Sequence, residues 1–391
     1  MSAPQVSRWS RRFVGAGALF FVCWALAALL GLFRRTEVVL ALYGFVLLTV
    51  FGKSYALLPA YFDRSLAVPW APAFQFPLSV GGVVALALGA QSWVFDGATT
   101  VGVVAWFAGV CVWVGALGWT VRDNLTGAET GTGDHQAERR PIDRASNAVV
   151  PVVVLYLLAG SYELLAATLG LPTLLDGTTT RVSHMLGAGG AALLVFAVGF
   201  RLFPRFLVAH PPRALVAVVL PVGAVGPALL ATGLYEQRLL AVGAVVEGLA
   251  IVGFALAYGV LYARSDCDRV GLHAVLVAVV ASLVAVALAA HLVVVGRLVA
   301  VIELHYRFAL AGFLGLTVVG AALQFYPPTV GEWPGSADRT ALVAVALIAG
   351  GLVVQLLGLV VASAATIGEL AVLGGTVLYA YLLASAFVAR G

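Results

Sequence analysis

Nine ionisable side chains fall inside segments that are otherwise apolar: Lys53, Glu163, His184, Glu247, His273, His291, Glu303, His305 and Arg307. Charge in hydrocarbon is costly, so such groups mark binding sites or proton and ion pathways by default. Histidine is the most specific of them chemically, because a neutral imidazole in an apolar setting offers a nitrogen lone pair to copper or to the iron of a haem. His184 and His305 recur at similar depths on two helices and form the leading ligand pair. His291 near the same membrane face is a further metal candidate. The alternative for each is a ring hydrogen bond to a carbonyl or to water. Arg307 and Arg297 flank the same region, where an arginine could clamp a carboxylate such as a haem propionate. Arg307 could instead pair with Glu303 one turn earlier, or snorkel to the interface. Glu163 and Glu247 offer carboxyls for a proton or substrate path, or partners for an arginine. The sequence contains no phosphate-binding loop, no HExxH and no Ser/His/Asp spacing that would point to hydrolytic chemistry.

The elements that must hold these groups are membrane helices. Of 391 residues, 62% are hydrophobic and 10% charged, with a mean hydropathy of +1.04. Soluble domains are about one quarter charged, and a crossing needs about 20 apolar residues. The expectation is an all-α polytopic membrane protein of twelve helices forming one transmembrane domain in the lipid bilayer. The segments are 13–33, 38–60, 72–94, 99–121, 147–170, 182–203, 213–235, 238–263, 270–296, 303–326, 340–363 and 368–389. The polar stretch 122–145 is expected to be a mobile cytoplasmic loop. With the N-terminus inside, fourteen arginines lie in cytoplasmic segments and five opposite. This predicts a cell-membrane protein with both termini cytoplasmic, and it explains the net charge of +4 without a nucleic-acid partner. Cys23, Cys111 and Cys267 form no disulfide or CxxC pattern.

A repeat is visible on every fourth helix. The second helix ends in Tyr55-Ala-Leu-Leu-Pro59, the sixth in Phe200-Arg-Leu-Phe-Pro204, and the tenth in Gln324-Phe-Tyr326-Pro327. Each is a Gly-rich helix closing on an aromatic-Pro exit, and the prolines are spaced by about one third of the chain. A 4+4+4 arrangement follows, in which helices 2, 6 and 10 are equivalent and meet around the interior.

The stretch from His305 through Gly320 to Pro327 resembles the tenth helix of haem-copper oxidase subunit I, with matching His-to-Pro spacing and a matching glycine. The stretch from His184 to Pro204 is similar, and also resembles the His-plus-glycine helices of the NnrS family. Those are twelve-helix membrane proteins associated with haem, copper and nitric-oxide stress. The resemblance implies that His305 is the proximal ligand of a haem near the outer face, with His184 as a second candidate and Arg307 or Arg297 on the propionates. It also implies a role in respiration, electron transfer or nitric-oxide and haem handling, with an electron-transfer partner or second subunit. The chain departs from the oxidase pattern in several places. Arg307 stands where the second histidine of the tenth helix belongs, the second helix has no histidine, and no His-His pair or His-Pro-Glu-x-Tyr is present. The glycines at 312, 315 and 320 leave room for a flat ligand or for a close neighbouring helix. The competing expectation is a secondary transporter of a small solute, with Glu163, Glu247 and Lys53 as coupling groups and Pro221 and Pro227 breaking the seventh helix.

Overall fold

The computed structural model describes residues 3–91 and 97–390. Among the described residues it is all-helical, with twelve helices long and apolar enough to cross a membrane: α1 Gln5–Leu29, α2 Arg34–Tyr61, α3 Ala71–Ala90, α4 Ala98–Val121, α5 Asp134–Leu169, α6 Thr179–Phe206, α7 Arg213–Gly233, α8 Gln237–Ala263, α9 Val270–Val294, α10 Val299–Phe325, α11 Asp338–Leu357 and α12 Ala362–Val388. The protein is an all-α polytopic membrane protein. Both termini lie on one face, where the Arg11 guanidinium donates to the Arg390 carbonyl at 3.3 Å.

Three helices form the centre. In α2, α6 and α10, 89%, 83% and 78% of the apolar stretch is buried, against at most 56% in any other helix. These helices are apolar on every side through their middles, which is the pattern of a helix without a solvent or lipid face. The remaining nine close a ring around them in the order α1, α3, α4, α5, α7, α8, α9, α11, α12 and back to α1. Each consecutive group of four therefore contributes its second helix to the centre and its other three to the ring. The third and fourth helices of each group form a tight hairpin made possible by small residues. A Cβ at Gly82 would fall 2.7 Å from the Trp106 nitrogen, and one at Gly351 would fall 2.6 Å from the Gly368 carbonyl. Close backbone approach of this kind drives helix association where no hydrophobic effect operates between helices.

All three central helices switch from α to π winding near the face opposite the termini, over Val39–Leu47, Met185–Ala192 and Phe308–Gly315. These segments touch one another at the centre of the molecule. The spaces between helices are filled by rings. Phe51 packs on Trp106 and Trp113 at 5.7 and 5.2 Å; Phe254 meets Phe196, Phe200 and Phe313 at 5.0, 5.4 and 6.5 Å; and Phe21 stacks on Phe45 at 4.1 Å and on Trp24 at 5.5 Å.

The polar stretch after α4 departs from the sequence expectation. From Asp134 onward it is helical and continuous with α5, and residues 122–133 are fastened down. Asn124 donates to the Phe62 and Glu129 carbonyls at 3.0 and 2.9 Å, Arg144 donates to the Ala128 carbonyl at 2.8 Å, and Thr132 donates to Asp143. Arg64 bridges Asp123 and Glu129 at 3.0 and 2.7 Å. The charges that suggested a solvated loop are spent on one another. That same arginine holds the Asp123 carboxyl below its ordinary range by hydrogen bonding to it.

Candidate functional site

The ends of the central helices opposite the termini face, just before the π segments, carry Glu37, His184 and His305. Glu37 stands 22 residues before Pro59 and His305 stands 22 before Pro327, while His184 stands 20 before Pro204. The carboxylate thus occupies on α2 the position that a histidine occupies on α6 and α10. This offset was the available signal for Glu37, which lies one residue before the expected start of its helix.

Glu37 belongs to a buried ion network spanning four helices. Arg307 Nη1 lies 2.7 Å from Glu369 Oε1 on α12 and donates to Gln355 Oε1 on α11 at 3.0 Å. Its Nε and Nη2 approach the two Glu37 oxygens at 3.4 and 3.5 Å, and the Tyr306 hydroxyl also donates to Glu37. Arg307 therefore pairs with Glu37 and Glu369, not with Glu303. Its guanidinium is committed to protein carboxylates and is not free to hold a propionate. Arg297 is likewise engaged. It donates to the Leu234 carbonyl at 2.6 Å and lies over the Tyr235 ring at 5.7 Å, on the α7–α8 loop.

Glu163 has a structural position instead of a place on a path. α5 stops at Gly170, whose φ of 67° is left-handed, and the chain folds back so that both Glu163 oxygens accept backbone amides. Leu174 donates to one at 2.7 Å, while Leu175 and Gly177 donate to the other at 2.9 and 2.8 Å. Glu247 on α8 is the opposite case. It is 4% exposed, both oxygens lack a hydrogen-bond partner, and it packs against Gly226 of α7. Pro221 and Pro227 do not break α7, which is helical from Arg213 to Gly233, and beside Gly226 the Tyr156 hydroxyl bonds its backbone on both sides. It donates to the Ala224 carbonyl at 2.8 Å and accepts from the Ala228 amide at 3.0 Å.

The histidines divide by what their nitrogens do. His273 has both occupied, by Tyr262 and Asp268, each at 2.7 Å. His305 Nδ1 lies 3.0 Å from the Ala285 carbonyl of α9, and His184 Nδ1 lies 2.8 Å from the Thr180 carbonyl. A carbonyl can only accept, so each ring carries its proton on Nδ1 and keeps the Nε2 lone pair. Metal-binding imidazoles are oriented by this same second hydrogen bond. The two rings sit on touching helices. His291 Nε2 is buried and without a partner. Among the described residues, no cluster of three or more His, Cys, Asp or Glu side chains could enclose a metal ion.

These residues do not fit a haem. Ligands of that size occupy pockets of about 300–1,000 Å3. The central cavity measures about 110 Å3 and lies around Lys53 near the termini face, and a second of about 200 Å3 lies at that face. Neither is lined by His184 or His305. The glycines of α10 are filled by neighbours: a Cβ at Gly312 would fall 2.9 Å from Ala281 Cβ, and one at Gly320 would fall 2.5 Å from the Gly271 carbonyl. They bring helices together and leave no slot. In the central cavity the Lys53 ammonium stands 3.7 Å from the Phe325 ring centre and 3.5 Å from the Tyr326 hydroxyl.

Fold and site together define a polytopic membrane protein with a threefold core and an imidazole pair at one end of it. No protein-family model matches the chain, and no curated protein matches it in sequence.

Proposed function

We propose that this is a cell-membrane protein of the haem-copper-oxidase-like and NnrS-like architecture that holds a single metal ion, with copper favoured, between His184 and His305. The observation that carries the reading is the state of the two rings. Each donates Nδ1–H to a backbone carbonyl and leaves Nε2 available, at matched points of two central helices. Two neutral imidazoles in apolar surroundings suit copper, and softer, low-coordinate copper above all. The nine-around-three arrangement supports the kinship with the oxidase scaffold, and the fourteen-to-five arginine split supports cytoplasmic termini, which puts the pair near the outer face. A role in electron transfer or copper and nitric-oxide handling follows, with an electron-transfer partner as its counterpart.

The test is metal analysis of the purified protein after copper-supplemented expression. Equimolar copper is expected in the wild type, with loss in His305→Ala and His184→Ala while circular dichroism remains helical. Copper retained in both variants overturns the ligand assignment, and a Soret band in the wild type overturns the exclusion of haem. A copper-free wild type favours the second reading, a secondary transporter. That reading rests on the unpaired Glu247 packed on α7 beside Pro227, where the Tyr156 hydroxyl bonds the backbone of that helix, since transporters place their sites where backbone groups within the membrane are freed from the helix ladder.

A further inference from the structure

The cavity at the termini face lies where α5, α6 and the α6–α7 loop meet, and it measures about 200 Å3. Ile142, Phe200 and Pro204 give it an apolar lining, while Arg139, Arg205 and Arg213 face it with Glu138 and Asp143. We propose that this cavity binds the phosphate of an anionic phospholipid from the leaflet on the termini side.

The charges inside it do not cancel. Asp143 is already held by Arg205 at 2.6 Å, approached by Arg201 at 3.6 Å and bonded by Thr132. Arg139 has only Glu138 near it, at 3.6 Å, and its Nε and Nη1 are buried without a hydrogen-bond acceptor. Arg213 has neither an ion pair nor a side-chain hydrogen bond among the described residues. It opens α7, whose first-turn amides point out of the helix. Two guanidinium groups thus lack an acceptor beside three apolar side chains, at the level where α6 leaves the membrane. A phosphate oxygen pair matches an arginine fork. Basic pockets between helices at this level recognise anionic headgroups, and the apolar lining suits the glycerol and the first acyl carbons. Inorganic phosphate shares the headgroup's chemistry but has no use for that lining. The site is independent of the histidine pair.

The experiment uses the full chain in detergent, stripped of native lipid and loaded with phosphatidylglycerol or phosphatidylcholine, with bound lipid read by native mass spectrometry. Wild type is expected to retain phosphatidylglycerol selectively. Arg139→Gln and Arg213→Gln should each weaken that retention about fivefold and leave phosphatidylcholine unchanged. Arg264→Gln, at an exposed arginine on the same face, should retain phosphatidylglycerol as wild type does. Equal loss in Arg264→Gln, or no preference in the wild type, overturns the proposal. Displacement of phosphatidylglycerol by millimolar inorganic phosphate reassigns the cavity to a soluble anion and overturns the lipid. Arg213 is exposed, so its variant stays informative if Arg139→Gln fails to fold.

Discussion

Glu37 and Glu247 are both buried carboxyls on membrane-spanning helices, and they are held in opposite ways. Glu37 faces Arg307 and Tyr306 in a network that also takes in Glu369 and Gln355. Glu247 has no hydrogen bond at all. A carboxylate in hydrocarbon is costly unless it is paired. The difference separates charge used for architecture from a carboxyl without a partner, packed on Gly226 of α7. It also shows why counting intramembrane charges does not locate a site: what matters is which of them the protein has left unanswered.

Removing the shared cation should have the largest effect. Arg307→Met leaves Glu37 and Glu369 without their partner, and breaking a buried pair in this way costs about 3–5 kcal/mol. A thermal unfolding midpoint in detergent should fall accordingly and recover in part when Glu37→Gln and Glu369→Gln are added. An unchanged midpoint for Arg307→Met would erase the contrast. Glu163→Ala removes the acceptor of three loop amides. Because water can reach part of that loop, the expected loss is about 2 kcal/mol, with faster proteolysis between Gly170 and Thr178. Glu247→Gln should shift stability by less than about 1 kcal/mol, since the substitution keeps the side-chain shape and removes no hydrogen bond. A loss as large as that of Arg307→Met would mean that Glu247 is paired after all. The smallest effect belongs to the exposed strap. Asp123 titrates below its ordinary value because Arg64 bonds to it. Its tether is therefore complete above about pH 4 and is lost as the pH falls through the depressed value. Protease sensitivity of residues 122–133 should rise only on acidification.

Much of the fold was legible because it is written in hydropathy and in punctuation. Twelve apolar runs appear as twelve helices, and the aromatic-Pro exits at Pro59, Pro204 and Pro327 picked out the three helices that form the centre. The site was legible in residue type and not in partnership. His184 and His305 could be named, but the one protein partner the sequence offered for Arg307 was Glu303 on its own helix, because pairs one turn apart are all that a sequence displays directly. Its real partners come from α2, α11 and α12, up to 270 positions away. The same limit made residues 122–145 read as a loop, since Asp143 meets Arg205 only after α5 and α6 have packed. The π segments have no signature in residue type at all.

Those segments bear on how the gene can vary. A π turn accommodates one residue more than an α turn over the same rise, so the helix on either side keeps its facing. Deleting a single residue within 185–192, such as Gly187, returns that stretch to α winding and leaves His184 and Pro204 on their original sides. The same deletion a turn beyond it, at Val198, rotates everything that follows by about 100°. Each of the three central helices thus carries one spare position, and single-residue length differences should be tolerated there and nowhere else along them.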